Sequence, residues 1–239
     1  MKIALITRIR NEEEIIKDFL DYYAPFVDGI YIYDDVSTDS TVSICKQHHK
    51  VKGIIEAKEW DTDRIRAEYT TRQAVLELAR KDNPDWFIYV DADERIDFGG
   101  IFDVLDWYDG VVMRLFDYYI TEEDKDKNYK ERKWLGQEYR SILMMFRNMP
   151  HLKYQHRDQR EMILPDNARI LYAGNVKHYG KAISIEEWEK TCEYYSKHFP
   201  EPYKSKWEAR KGRAIHTISD FGGKLIQWHE IDDWGFPMH

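Results

Sequence analysis

Apolar residues in this chain fall into short unbroken runs separated by stretches of helical period, and that alternation predicts its elements. Lys2 to Thr7 reads as a first strand. Asn11 and Glu14 fit a capping box that opens a helix running to about Tyr23, stopped by Pro25. Gly29 to Asp34 is a second strand; Ser37 to Asp39 can cap the helix that follows through His48, and Lys52 to Ala57 gives a third strand. Between Arg64 and Arg80 the apolar residues Ile65, Tyr69, Ala74, Val75 and Leu78 recur at helical spacing. The run Trp86-Phe87-Ile88-Tyr89-Val90 shows no polar alternation, which marks a strand covered on both faces. Strand, helix, strand, helix, strand, helix, strand is the order of a mostly parallel α/β sheet flanked by helices.

The second half is less regular. Strands are predicted at Gly110 to Tyr119, Ser141 to Arg147 and Arg169 to Val176, and a helix at Ile185 to His198, with Ser184 as its cap and Glu187 at the capping-box position. Residues 121–134 lack apolar periodicity and read as a charged, mobile loop and a candidate lid. The tail carries Trp207, Trp228 and Trp234, aromatics that need a surface to cover. We expect one main domain over residues 1–182 and a helical C-terminal extension over residues 183–239.

At 239 residues with 43% hydrophobic content the chain can fill a sizeable core. A net charge of −8 with no basic stripe argues against holding nucleic acid through its phosphates. No apolar run reaches membrane-spanning length, and the opening MKIALITRIRNEEE charges too soon for a secretory signal. Cys45 and Cys192 are too few and too distant for a disulfide framework or a zinc site, so a cytoplasmic setting is expected.

Chemistry concentrates where the fourth strand ends, in Asp91, Asp93 and Glu94. Ligands of parallel sheets collect beyond the strands' carboxyl ends. Clustered carboxylates there need a cation or a set of donors, and hard oxygen ligands suit Mg²⁺ or Mn²⁺ shared with a diphosphate. Taken alone, a D-x-D pair is more readily an exposed acidic turn. Neither G-x-G-x-x-G nor G-x-x-x-x-G-K-[ST] is present, which sets aside dinucleotide-binding Rossmann and P-loop chemistry.

The first strand ends in Thr7-Arg8-Ile9-Arg10-Asn11-Glu12, the second in Asp34-Asp35-Val36-Ser37-Thr38-Asp39, and the fourth in Asp91-Ala92-Asp93. In this order the three motifs resemble the family 2 glycosyltransferases of GT-A fold, over roughly the first hundred residues. The resemblance implies a metal-dependent, inverting transfer of a sugar from a nucleoside diphosphate donor to a hydroxyl on a glycan, lipid carrier or protein. UDP is the favoured nucleotide, with GDP and dTDP open. It further implies that Thr7, Arg8, Asp35 and Arg66 bind the donor, with Asp35 accepting from the ring N–H of the base. Arg64 reads as solvated and Asp39 as a helix cap. Asp91 and the backbone of Ala92 would meet the ribose, and Asp93 the Mn²⁺ or Mg²⁺.

Inversion in one displacement requires a carboxylate base. Glu161 matches the family's glutamate, although Arg160 stands where a histidine is common; Asp158 is the alternative, and His156 is left undecided. Val176-Lys177-His178-Tyr179-Gly180 resembles a histidine-tyrosine-glycine segment whose imidazole completes the metal site, which makes His178 the second ligand. Two rivals stand beside this reading. A sugar-1-phosphate nucleotidyltransferase would need a glycine-rich loop after the first strand, and Thr7 to Glu12 contains no glycine. A sugar-nucleotide or glycan-binding module without catalysis would keep the fold and lose the base.

Overall fold

Strand β1 (Ile3–Ile9) is the spine of the molecule, because its apolar side chains are covered on both faces. It pairs in parallel with β2 (Gly29–Asp34) on one side and with β4 (Trp86–Tyr89) on the other, and β3 (Val51–Glu56) continues the parallel order outside β2. Period-two alternation sends Leu5, Ile30, Ile32 and Ile88 to the face covered by α1 (Ile16–Tyr23) and α2 (Thr41–Gln47). Ala4, Ile6, Tyr31, Phe87 and Tyr89 go to the face covered by α3 (Arg64–Arg80). Each fully buried large apolar side chain contributes about 1.5–3 kcal/mol. The computed structural model describes residues 1–155 and 160–231.

Beyond β4 the sheet reverses. The described strands run in the order β3-β2-β1-β4-β7-β6-β8-β5. Here β5 is Glu94–Asp97, β6 Gly110–Tyr118, β7 Trp134–Arg147 and β8 Ile170–His178, while β9 (Leu225–Gln227) pairs with the start of β7. Only β7 and β5 oppose the common direction. This mixed, mostly parallel sheet between helices is the GT-A architecture expected from the sequence. Residues 183–231 supply α4 (Ile185–His198), α5 (Tyr203–Glu208) and β9, so the tail is not purely helical and shares the sheet. Among the described residues no helix is long and apolar enough to cross a membrane.

Three local expectations are corrected. Helix α1 begins at Ile16 with no side-chain cap, so the Asn11/Glu14 capping box does not form. Asn11 sits at φ +53, a left-handed conformation that asparagine tolerates, and its Oδ1 accepts from Thr38 N–H at 2.8 Å while its own N–H donates to Ser37 Oγ at 2.9 Å. It braces the first motif loop against the second. Strand β7 starts seven residues before Ser141, and the short strand β5 had no apolar run to reveal it.

The loop at residues 121–134 is packed. Asp124 is fully buried and accepts from Thr121 N–H, Thr121 Oγ1 and Lys133 N–H at 2.9, 3.0 and 3.2 Å. The Arg132 guanidinium donates to the carbonyls of Asp124, Ala182 and Ile183. Tyr129 lies against Tyr179 and donates to Asp18 Oδ2 at 2.6 Å, and Asp18 also receives Lys130 and Arg95, each at 2.9 Å. The segment is polar in composition, but its buried charges, Asp124 and Arg132, are satisfied within the fold, so it needs no apolar periodicity to be ordered.

Burial would raise the Asp18 carboxyl, but hydrogen bonds from Tyr129, Lys130 and Arg95 outweigh it and hold the group below its usual range. A depressed folded pKa stabilises above the unfolded value of about 3.9 and ceases to do so as pH falls through the folded value. Asp18→Asn should therefore be less stable than the unmodified protein at pH 7, with the gap closing below about pH 3.9; urea denaturation at both pH values measures it.

Candidate active site

Parallel pairing brings the ends of β1, β2 and β4 to one rim: Ile9 is in register with Asp34, and Ile6 with Tyr89. At the β2 corner, Asp35 is buried, donates its backbone N–H to Ile9 O at 2.9 Å, and forms a salt bridge with Arg64. Arg64 is only 3% exposed, so it is no solvated residue; its Nη1 donates to Asp61 O at 2.9 Å and its guanidinium lies 4.5 Å from the centre of the Trp60 ring. Arg10 approaches the same indole at 4.7 Å. Val36, between Asp35 and Ser37, sits at φ +63, a strained conformation for a β-branched residue that costs on the order of 1–3 kcal/mol. Asp39 caps the following turn, accepting from Thr41 N–H at 3.0 Å.

Thr7 is fully buried, and its hydroxyl has no hydrogen-bond partner among the described residues. Arg8 pairs with Glu68 of α3 at 2.9 Å. Arg66 does not join this group: it makes a two-pronged contact with Asp61, at 3.0 and 2.8 Å, with its side chain 55% exposed. Two positions along α3, about 200° around the helix, turn it away from the buried face that carries Arg64 inward. Side-chain burial, invisible in the string R-I-R, distinguishes the two arginines.

At the β4 end Asp91 accepts from Tyr89 Oη at 2.9 Å and from Arg160 Nη1 at 2.8 Å. The other arm of Arg160 reaches the fully buried Glu94 at 2.5 Å, and Glu94 Oε2 accepts from the Asp91 N–H at 2.9 Å. Burial would raise the Asp91 carboxyl, yet Arg160, Arg72 and Arg8 bring it down to about 2; burial and Asp91 push Glu94 upward against the pull of Arg160. Arg160, read from sequence as a misplaced histidine position, is the clamp of both acids. The carbonyl of Ala92 is taken by Arg95 Nη1 at 2.7 Å.

His178 is the last residue of β8, and antiparallel pairing sets it opposite Glu94. Its Nε2 lies 3.3 Å from Asp93 Oδ2 and its Nδ1 2.5 Å from Asp117 Oδ1. Burial would lower the imidazole, but Asp93 and Asp117 raise it to about 10. Glu12 opens on the same acidic cleft: burial, then Asp93, Glu187, Asp91 and Asp39, hold its carboxyl well above the usual range. Glu161 is exposed and accepts from Leu143 N–H on β7 at 2.5 Å, one residue from the Arg160 clamp. Asp158 and His156 lie outside the described residues. The site thus unites Asp35, Asp91, Asp93 and His178 along one rim. Sequence reasoning missed Arg64, Arg160 and Asp117; only Asp117 carried a signal, a charge inside the apolar run Leu115 to Tyr119, whereas Arg64 and Arg160 stand in polar stretches.

The Glycosyl transferase family 2 profile matches residues 5–164, more than half of the chain. The chain belongs to glycosyl transferase family 2. An uncharacterized protein of Mycobacterium tuberculosis and one of Mycobacterium bovis are each 34% identical to this glycosyltransferase over 95 residues, 39% of it and 23% of their own length. The chain therefore spans about a quarter of the length of the curated relatives it matches. Among solved structures, glucosyl-3-phosphoglycerate synthase from M. tuberculosis with phosphoglyceric acid overlaps at a TM-score of 0.33 and 16% identity, covering 48% of this chain and 44% of that one. HddC from Yersinia pseudotuberculosis overlaps at 0.43 and 12% identity, covering 82% of this chain and 100% of that one. Overlaps this loose do not bear on the site.

The atoms of the glycosyltransferase itself fit a divalent cation. Asp93 Oδ1 is buried without a hydrogen-bond partner among the described residues, an expensive condition for a carboxylate oxygen. Ligand atoms of Asp93, Glu94 and His178 lie within 4.8 Å of one another. Glu94 is already engaged by Arg160 and the Asp91 N–H, which leaves Asp93 and His178 as the natural pair. Gly180 keeps the space open: a Cβ there would overlap Asp93 Oδ2 and stand 2.9 Å from His178 Nε2. Gly180→Ala should weaken Mn²⁺ binding by on the order of tenfold or more while the metal-free protein still folds; Mn²⁺ titration by electron paramagnetic resonance, with circular dichroism as control, measures both.

Proposed function

We propose that this glycosyltransferase moves a sugar from a nucleoside diphosphate donor, UDP as the nucleotide, to a hydroxyl acceptor on a glycan, lipid carrier or protein, with inversion and with Mn²⁺ or Mg²⁺. The observation that carries the reading is the placement of Asp93 and His178 over the side-chain-free Gly180, on the rim that also holds Asp35. Asp35 is oriented by Arg64 to accept from a pyrimidine N–H, and Asp91 is kept ionised by Arg160 to accept from ribose hydroxyls. Thr7 and Arg8 lie on the strand beneath the donor. A cation held by Asp93 and His178 would neutralise charge on the departing diphosphate. Glu161, oriented by the Leu143 N–H, takes the acceptor's proton as the acceptor oxygen bonds to the anomeric carbon. The bond from that carbon to the phosphate oxygen breaks, and its electron pair leaves with the diphosphate.

We assign catalysis to residues 1–182 and read residues 183–239 as a C-terminal extension to them. Two buried, unpaired thiols, Cys45 and Cys192, accord with a cytoplasmic setting. Arg66 belongs to the donor site only if Asp61 releases it. One observation favours a second reading, a binding module without turnover: the Glu161 carboxylate is already committed to a backbone N–H.

The test is a panel of nucleoside diphosphate sugars with Mn²⁺, read as thermal stabilisation and slow donor hydrolysis, on the unmodified protein and on Glu161→Gln. The expected result is stabilisation and hydrolysis with a UDP-sugar, with hydrolysis or transfer reduced by about 10²- to 10⁴-fold in Glu161→Gln and UDP binding retained. Stabilisation without any turnover would assign the binding module. No stabilisation by any donor would overturn both readings.

A further inference from the structure

The imidazole of His178 can serve a cation beside Asp93 only if Nε2 is the nitrogen turned toward it. A residue outside the ligand pair decides that. Asp117, on β6, is 7% exposed and stands in register with His178 in the parallel β6–β8 pairing. Its Oδ1 is 2.5 Å from His178 Nδ1 and 2.6 Å from Arg140 Nη2, and its Oδ2 is 2.7 Å from Lys181 Nζ. Lys181 in turn reaches Asp220 of the tail at 2.6 Å, and Asp220 receives Arg210 at 2.5 Å.

We infer that Asp117 is a positioning residue for the cation site: braced by Lys181 and Arg140, it holds the His178 Nδ1–H and so presents Nε2 to the cation beside Asp93. The inference rests on the cation site proposed above. A lone pair on Nδ1 facing a carboxylate oxygen at 2.5 Å would be repulsive, so Nδ1 is the donor. Arg140 Nη2 comes within 3.2 Å of Nδ1 because both donors converge on the same Oδ1. With Nδ1 committed, Nε2 faces Asp93, and a metal-bound imidazole whose other nitrogen donates to a carboxylate is held in both orientation and tautomer. Asp117 carries more cationic contacts than one histidine requires. Lys181 and Arg140 fix its two oxygens in place, and Lys181 makes a separate ion pair with Asp220 of the tail.

Mn²⁺ affinity, from the free-ion resonance signal with and without UDP, separates this role from plain stabilisation when it is read beside the melting temperature of the metal-free protein. Asp117→Ala should bind Mn²⁺ about 10- to 100-fold more weakly. Asp117→Asn keeps an acceptor for Nδ1–H and the shape of the side chain, and should fall between that variant and the unmodified protein. Asp220→Asn strips one carboxylate from Lys181 while sparing the Asp117–His178 contact, so it should lower the melting temperature and leave Mn²⁺ affinity unchanged. Wild-type affinity in both Asp117 variants, with His178→Ala impaired, would overturn the inference and leave the cation site standing. An Asp220→Asn loss as large as that of Asp117→Ala would also overturn it, since general loosening would then account for both. If His178→Ala binds Mn²⁺ as the unmodified protein does, the cation site itself fails.

Discussion

Compensation of clustered negative charge at the rim of the sheet is the constraint on which this molecule depends. Asp91, Asp93, Glu94, Asp117 and Glu12 converge there, Glu94 and Asp117 buried and the other three partly so. Unpaired ionised carboxylates in such surroundings cost several kcal/mol each, so the fold must bring cations to them or force them to protonate. It does both. Arg160 spans Asp91 and Glu94, Lys181 and Arg140 bracket Asp117, and Glu12 is driven toward its neutral form. Asp93 retains a carboxylate oxygen with no partner among the described residues, and that deficit marks the rim as a candidate cation site.

That arrangement follows from the direction of β8. Although β7 runs against its neighbours, β6 and β8 share the direction of β1, β2 and β4, so the end of β8 carries His178 to the same rim as theirs. The short antiparallel β5 then sets His178 opposite Glu94. The acidic strand end and its histidine are separated by more than eighty residues of sequence and joined by one ladder. Tyr23 contributes to holding that ladder, its hydroxyl lying between Glu94 O and Ile96 N–H at 3.1 and 3.0 Å.

Legibility in the sequence tracked the range of the interaction involved. The helix Arg64–Arg80 and the strand at Trp86 were visible because their signals are periodic and local. The capping box at Asn11 was a local pattern overridden by a tertiary demand, since Asn11 bonds to Ser37 and Thr38 on the next loop. Residues 121–134 misled for a related reason: composition reports how polar a segment is, not whether its charges find one another, and Asp124 with Arg132 shows that they do. Arg64 and Arg66 differ by two positions on one helix, and their burial differs completely because the helix face, not the residue type, decides it.

The sequence alone determined a mostly parallel α/β sheet with acids at its strand ends and a resemblance to family 2 glycosyltransferases, because strand runs, helical periods and motif order are written in neighbouring residues. Only the tertiary structure decided which cation meets which acid. The pairings Arg64 with Asp35, Arg160 with Asp91 and Glu94, and Asp117 with His178 join residues about thirty to seventy positions apart. Coulomb attraction between them depends on distance through space and on how much water is excluded, and neither exists until the chain has folded.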